Sequence, residues 1–152
     1  MSAVNTPQPQ SVFSLLGGAM DIGRQLMLTE TAADQRGLRG SHLRVLTRIP
    51  REGMRPTALA GRVGMTKQSL GEFVAALETA GYVRVSVDPA DRRARIVTPT
   101  PSGEKLQDQI ARVFADIEAR WQQEVGSRQW SAFLNVLRHL NVEHKARKGP
   151  LY

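Results

Sequence analysis

The chain of 152 residues contains no cysteine, which removes disulfides, thiolate metal sites, thiol nucleophiles and thiol-based oxidant sensing. Its three histidines, His42, His139 and His144, form no ligand set with nearby carboxylates, so no metal and no cofactor is expected. No apolar run approaches the ~18 residues that a membrane helix needs, and the N-terminus lacks the basic start of a secretion signal. A cytoplasmic protein without a membrane partner is therefore expected. There is also no Gly-rich phosphate-binding motif, and no Ser, His and Asp set in a recognised order. Catalysis is not expected.

What the chain has in excess is positive charge, +7 overall, which favours a polyanionic partner. The placement is informative. Between Arg36 and Arg95 twelve basic residues stand against Glu52, Glu72, Glu78, Asp88 and Asp91, so this segment carries the whole excess.

Within that segment, residues 56 to 99 predict a short helix, a turn, a second helix and a two-stranded hairpin. Thr66 is placed to cap the second helix, because its hydroxyl accepts a backbone N–H otherwise unpaired at the helix start. At about 100° per residue, Leu70, Phe73, Val74 and Leu77 form one apolar stripe. Gln68, Gly71, Glu72, Ala75 and Thr79 fall opposite. That outer face is small, and Gly71 costs about 1 kcal/mol of helix propensity relative to Ala. Gly81 ends the helix as a residue free to adopt positive φ.

Tyr82 to Val87 alternates, with Val83, Val85 and Val87 on one face, as a half-buried strand does. Ala94 to Thr98 can return beside it. Between them Asp88-Pro89-Ala90-Asp91-Arg92-Arg93 reads as the loop, with Pro presetting a turn and the Asp side chains able to bond turn amides or the arginines. Guanidinium groups bind phosphate bidentately, so Arg92, Arg93 and Arg95 suit a nucleic-acid backbone. A plain solubilising loop is the alternative.

Leu59-Ala60, Val63 to Ser69, Leu77-Glu78-Thr79-Ala80-Gly81-Tyr82-Val83 and Asp88-Pro89-Ala90-Asp91-Arg92-Arg93-Ala94-Arg95 together resemble the MarR family of bacterial transcription regulators, closely over residues 41 to 106. The Asp-Pro-x-Asp-Arg-Arg wing after Leu-Glu-x-x-Gly is the specific signal. The resemblance implies a homodimeric regulator of double-stranded DNA, often a repressor released by a small molecule or an oxidant. Thr66, Lys67, Gln68 and Ser69 would open the recognition helix, and Arg92, Arg93 and Arg95 would belong to the wing.

Two positions depart from the family pattern. Glu72 stands where a basic residue is frequent. It can accept from cytosine N4, as Gln68 can pair with adenine, or it can pair with a nearby Arg. Arg55 stands where a Ser or Thr cap is usual, with Pro56 at the first helical position. Either that helix begins less firmly, or Arg55 points to phosphate.

Outside this segment, residues 1 to 10 read as a disordered tail. Phe13, Leu16, Met20, Gly23 and Met27 recur at helical spacing, and neighbouring apolar residues widen the stripe beyond one face. Ser41 is placed to cap a helix through about Ile49. His42 near its start could line a ligand pocket, but a satisfied surface group is the commoner case. After Pro101 a long helix to about Val125 carries Leu106, Ile110, Val113, Phe114, Ile117, Trp121 and Val125 as a stripe that reads as buried. Trp130, Phe133, Leu134, Leu137 and Leu140 line a last helix.

The expected fold is mainly α with a small β-hairpin wing (α+β). Residues 36–99 would form a winged helix-turn-helix DNA-binding domain, and residues 11–35 and 100–148 a helical dimerisation region built from both chain ends. The function expected is a homodimeric DNA-binding repressor of a near-palindromic operator, relieved by a small-molecule effector. The rival is a winged-helix protein-interaction module without sequence-specific DNA binding. An acidic hairpin would have supported that rival; this hairpin is basic.

Overall fold

A computed structural model describes residues 11–31 and 37–148; the expected N-terminal tail lies outside them. The elements run α1 (Val12–Thr31), α2 (Gly40–Leu46), α3 (Pro56–Val63), α4 (Lys67–Thr79), β1 (Val83–Asp88), β2 (Asp91–Pro99), α5 (Pro101–Val125) and α6 (Ser127–Lys148). This is the winged helix-turn-helix order, flanked by long helices. The core is where the short helices meet the base of the hairpin and the start of α5: Leu43, Leu46, Leu59, Leu70, Leu77 and Ile110 are among its fully buried side chains.

The helix boundaries follow from local chemistry. Thr66 caps α4, its hydroxyl accepting from the Ser69 amide at 3.2 Å. At the other end the Gly81 and Tyr82 amides donate to the carbonyls of Glu78 and Leu77. Gly81 makes that reversal at φ 80°, where a side chain would be strained. The cap of α2 differs from expectation. Arg39, not Ser41, occupies the N-cap position, and its backbone N–H donates to His42 Nδ1 at 2.9 Å. The imidazole takes the part of the third-residue side chain of a capping box, which accepts the N–H of the cap residue. The helix also ends earlier, at Leu46, because Arg48 and Ile49 donate three residues back in tighter turns.

In the hairpin β1 pairs antiparallel with β2, Val85 opposite Val97 and Val87 opposite Arg95. The expected six-residue loop is shorter: only Pro89 and Ala90 separate the strands. The register then shifts, since Asp88 faces Asp91 in the next pair. Arg92, Arg93 and Ala94 are thus extra residues on β2, a bulge of the kind that re-aims side chains. The inner valine face also fades outward. Val83 is buried, Val85 half-buried, and Val87 is 45% exposed, because the hairpin leaves the core as it extends.

Near its base the hairpin is held on both edges. Met54 and Val97 exchange two backbone hydrogen bonds at 2.9 Å, and Glu78 on α4 accepts from the Val85 amide at 2.8 Å. The start of α5 is bound as tightly. Thr100 caps α5 by accepting from the Gly103 amide and donates its own hydroxyl proton to the Gly81 carbonyl at 2.7 Å. Gln107 donates to the carbonyls of Leu46 and Ile49, 2.7 and 2.8 Å away, and Arg51 pairs with Glu104 and Asp108.

Beyond that anchorage the apolar stripes are less covered than their spacing predicts. On α5 only Leu106, Ile110 and Ile117 of the expected set are buried; Phe114 and Val125 are exposed. On α6 no described side chain is buried, and Phe133 is 42% exposed. On α1 Gly23 and Met27 are buried, while Phe13 is 86% exposed. Helical periodicity marks an apolar face without saying what lies against it.

Candidate nucleic-acid interface

The exposed polar and basic side chains of interest lie on three features: the start of α4, the wing bulge, and the residue that opens α3. On α4 the buried stripe is Leu70, Val74 and Leu77, with Phe73 half-buried. Thr66, Lys67, Gln68, Ser69, Gly71, Glu72 and Ala75 are all exposed. The expected division of this helix into two faces therefore holds in the structure. A Cβ on Gly71 would meet nothing within 4 Å. The fold itself has no need of glycine there.

On the wing Arg92, Arg93 and Arg95 are exposed, and none has an ion-pair partner among the described residues. The two aspartates do bond turn amides: Asp88 accepts from Ala90 at 2.9 Å and Asp91 from Arg93 at 3.1 Å. Their arginine partner is one the sequence did not pick out. Arg55 Nε donates to Asp88 Oδ2 at 2.7 Å, and its Nη2 lies 3.6 Å from Asp91 Oδ2. Arg55 occupies the N-cap position of α3, with Pro56 next, but makes no side-chain cap bond. In the chain by itself Arg55 thus reaches the wing.

Asp88 is 7% exposed and is the one buried charged residue among those described. The Ala90 amide, helped by the Arg55 guanidinium, holds its carboxyl below the usual range. The brace is thus ionised at neutral pH. Glu72 has no ion-pair partner among the described residues, so the expected alternative of a pair with a nearby Arg is not realised in the chain.

Other basic residues of the segment serve the fold. Arg44 donates to the Val63 carbonyl at 2.8 Å and Arg62 to the Arg48 carbonyl at 3.1 Å, completing helix ends. The sequence carried no signal that separates these arginines from those of the wing. His42 packs its ring edge against Phe73 of α4, with centroids 4.9 Å apart, and burial lowers its pKa. It belongs to the helix packing.

A sequence model described as the MarR family matches residues 36–94, the whole of the helix-turn-helix and most of the wing. The solved structure of MarR superposes with a TM-score of 0.78 at 23% identity, covering 95% of this chain and 97% of that one. Over residues 36–94 the chain is thus similar to the MarR family. The transcriptional regulator HosA of Escherichia coli O111:H- is 28% identical over 88 residues. That alignment covers 58% of this chain and 65% of HosA, just under two thirds of its length. CouR, a transcriptional repressor solved on a 23-mer DNA duplex, superposes with a TM-score of 0.68 at 22% identity, over 86% of this chain and 92% of CouR. CouR from Rhodococcus jostii RHA1 has also been solved with p-coumaroyl-CoA, with a TM-score of 0.67 at 20% identity over 95% and 98% of the two chains. HosA and CouR carry the names of a regulator and a repressor, not of enzymes.

Proposed function

We propose that this chain is a MarR-family regulator, a homodimeric transcriptional repressor that reads a near-palindromic DNA operator. The observation that carries the reading is the pairing of two surfaces on one rigid unit. One is the outer face of α4, with Thr66, Lys67, Gln68, Ser69 and Glu72 and no large apolar side chain; the other is a bulged hairpin presenting Arg92, Arg93 and Arg95. A slim polar helix fits a major groove, where Gln68 suits adenine and Glu72 suits cytosine N4. Unpaired arginines suit the adjacent phosphates. Lys67 and Arg93 would supply position and affinity, and Gln68 and Glu72 sequence preference.

The dimer is supported by the surplus of uncovered apolar surface on α1, the far part of α5, and α6. Residues 11–35 and 100–148 would form that interface, and residues 36–99 the DNA-binding domain. A two-fold dimer presents two recognition helices about 34 to 36 Å apart, one turn of the duplex, and so expects half-sites in that spacing. A small-molecule effector would act through that distance, to the extent that it binds the two states unequally. CouR, seen both with DNA and with p-coumaroyl-CoA, lends the reading support.

Sedimentation of the chain alone and on a duplex tests the proposal: a dimer in both, with two chains per operator-length duplex, supports it. A monomer that sediments apart from DNA at low ionic strength refutes it.

A further inference from the structure

We infer that Arg55 is a positioning residue for DNA binding: it fixes the wing to the first helix of the helix-turn-helix and screens the wing's two carboxylates from the phosphates. The inference rests on the DNA-binding reading and goes beyond it, because Arg55 would touch no phosphate.

The geometry begins one residue earlier. Met54 pairs with Val97 of β2 through two backbone bonds, which lays the chain along the outer edge of the hairpin. The next residue, Arg55, then reaches both aspartates across the turn, Asp88 at 2.7 Å and Asp91 at 3.6 Å. Each carboxylate already holds a turn amide, so the turn, the bulge and the helix start are joined through one guanidinium. The same two aspartates stand in the turn immediately before the residues that carry the wing's positive charge. Brought beside a duplex without Arg55, they would set two like charges against the phosphate row.

Asp88 is too enclosed to escape by swinging into solvent. The contacts with Asp88 and Asp91 engage Nε and Nη2 of Arg55, and a phosphate on the guanidinium would exchange part of that pairing for its own. The wing arginines are already exposed without partners among the described residues, so the chain gains nothing from that exchange.

The test is a double-mutant cycle read by anisotropy of a labelled random-sequence duplex over a range of salt. Arg55→Gln is made in the wild-type chain and in the Asp88→Asn/Asp91→Asn chain. The expected result is about tenfold weaker binding in the wild-type background, the scale of one like charge uncovered near phosphate. In the neutralised background the same change should cost less than about twofold, since there is nothing left to screen. Arg55→Lys should fall between, because a point charge bridges two carboxylates less well than a planar fork. Equal losses in both backgrounds, with the salt slope reduced by about one counterion, would make Arg55 a phosphate ligand and overturn the inference. Should Arg55→Gln lower the melting temperature of the chain, Arg55→Lys in the two backgrounds serves the same comparison. A wild-type chain that ignores the duplex would overturn the DNA-binding reading itself, a different outcome.

Discussion

Gly103 in the first turn of α5 lies directly against the carbonyl oxygen of Tyr82, so closely that no β-carbon fits between them. That carbonyl also accepts from the Thr100 amide at 3.0 Å, and Tyr82 is the residue that follows the left-handed turn at the end of α4. The long helix is therefore seated on the end of the recognition helix by a contact only glycine allows.

Gly103→Ala should cost more than about 2 kcal/mol of stability, as overpacking against unyielding backbone does. Urea unfolding of the two chains measures it. A loss below about 0.5 kcal/mol would show that α5 can shift without consequence, and would remove the rigid seat from the account.

Gly71 is the opposite case, since nothing lies within 4 Å of its missing side chain. Gly71→Ala should stabilise the chain by about 1 kcal/mol through helix propensity, and should weaken DNA binding if this face lies in a groove. Thermal melting and a duplex titration should move in opposite directions. Unchanged affinity would place the duplex against some other surface.

The phosphate and base contacts separate by their salt and sequence dependence. Arg93→Ala should weaken all duplexes alike and lower the salt slope by about one counterion. Gln68→Ala should instead cost about 1 to 3 kcal/mol on the specific site alone. Were Gln68→Ala to weaken random and specific duplexes equally, base readout by Gln68 would be refuted.

His42 gives the chain a pH dependence of known sign. Burial lowers its pKa from 6.5, and Nδ1 accepts the Arg39 N–H, so the folded chain favours the neutral ring. Its contribution is fully present above pH 6.5 and is lost as pH falls through the lowered value. Denaturation midpoints between pH 7.5 and 5.5, about one pH unit either side of the ordinary histidine range, should fall less for His42→Gln than for the wild-type chain. Identical slopes would remove His42 as the source.

Much of this architecture is legible in the residues because it is local. Thr66, the stripe at Leu70, Val74 and Leu77, and Gly81 mark α4 by capping, period and turn chemistry, and each signal lies within a few residues of its effect. The wing was legible for the same reason. What escaped depends on distance along the chain. The partner of Arg55 lies 33 residues on, and nothing near Arg55 announces it. Gly103 looks like an ordinary poor helix former until Tyr82 is seen beside it. The cap of α2 escaped differently: Ser41 has the usual chemistry, but the helix starts from Arg39, whose N–H the His42 ring accepts. Periodicity along α5 and α6 marked the apolar faces, but not how much of each one chain covers.

Selection of bound duplexes from a random DNA pool tests the central claim most directly, because one readout reports binding, symmetry and spacing together. The account predicts an enriched, nearly palindromic site whose half-site centres lie about one helical turn apart. A pool that emerges unenriched at low ionic strength, or enriched only in single unpaired half-sites, would contradict it.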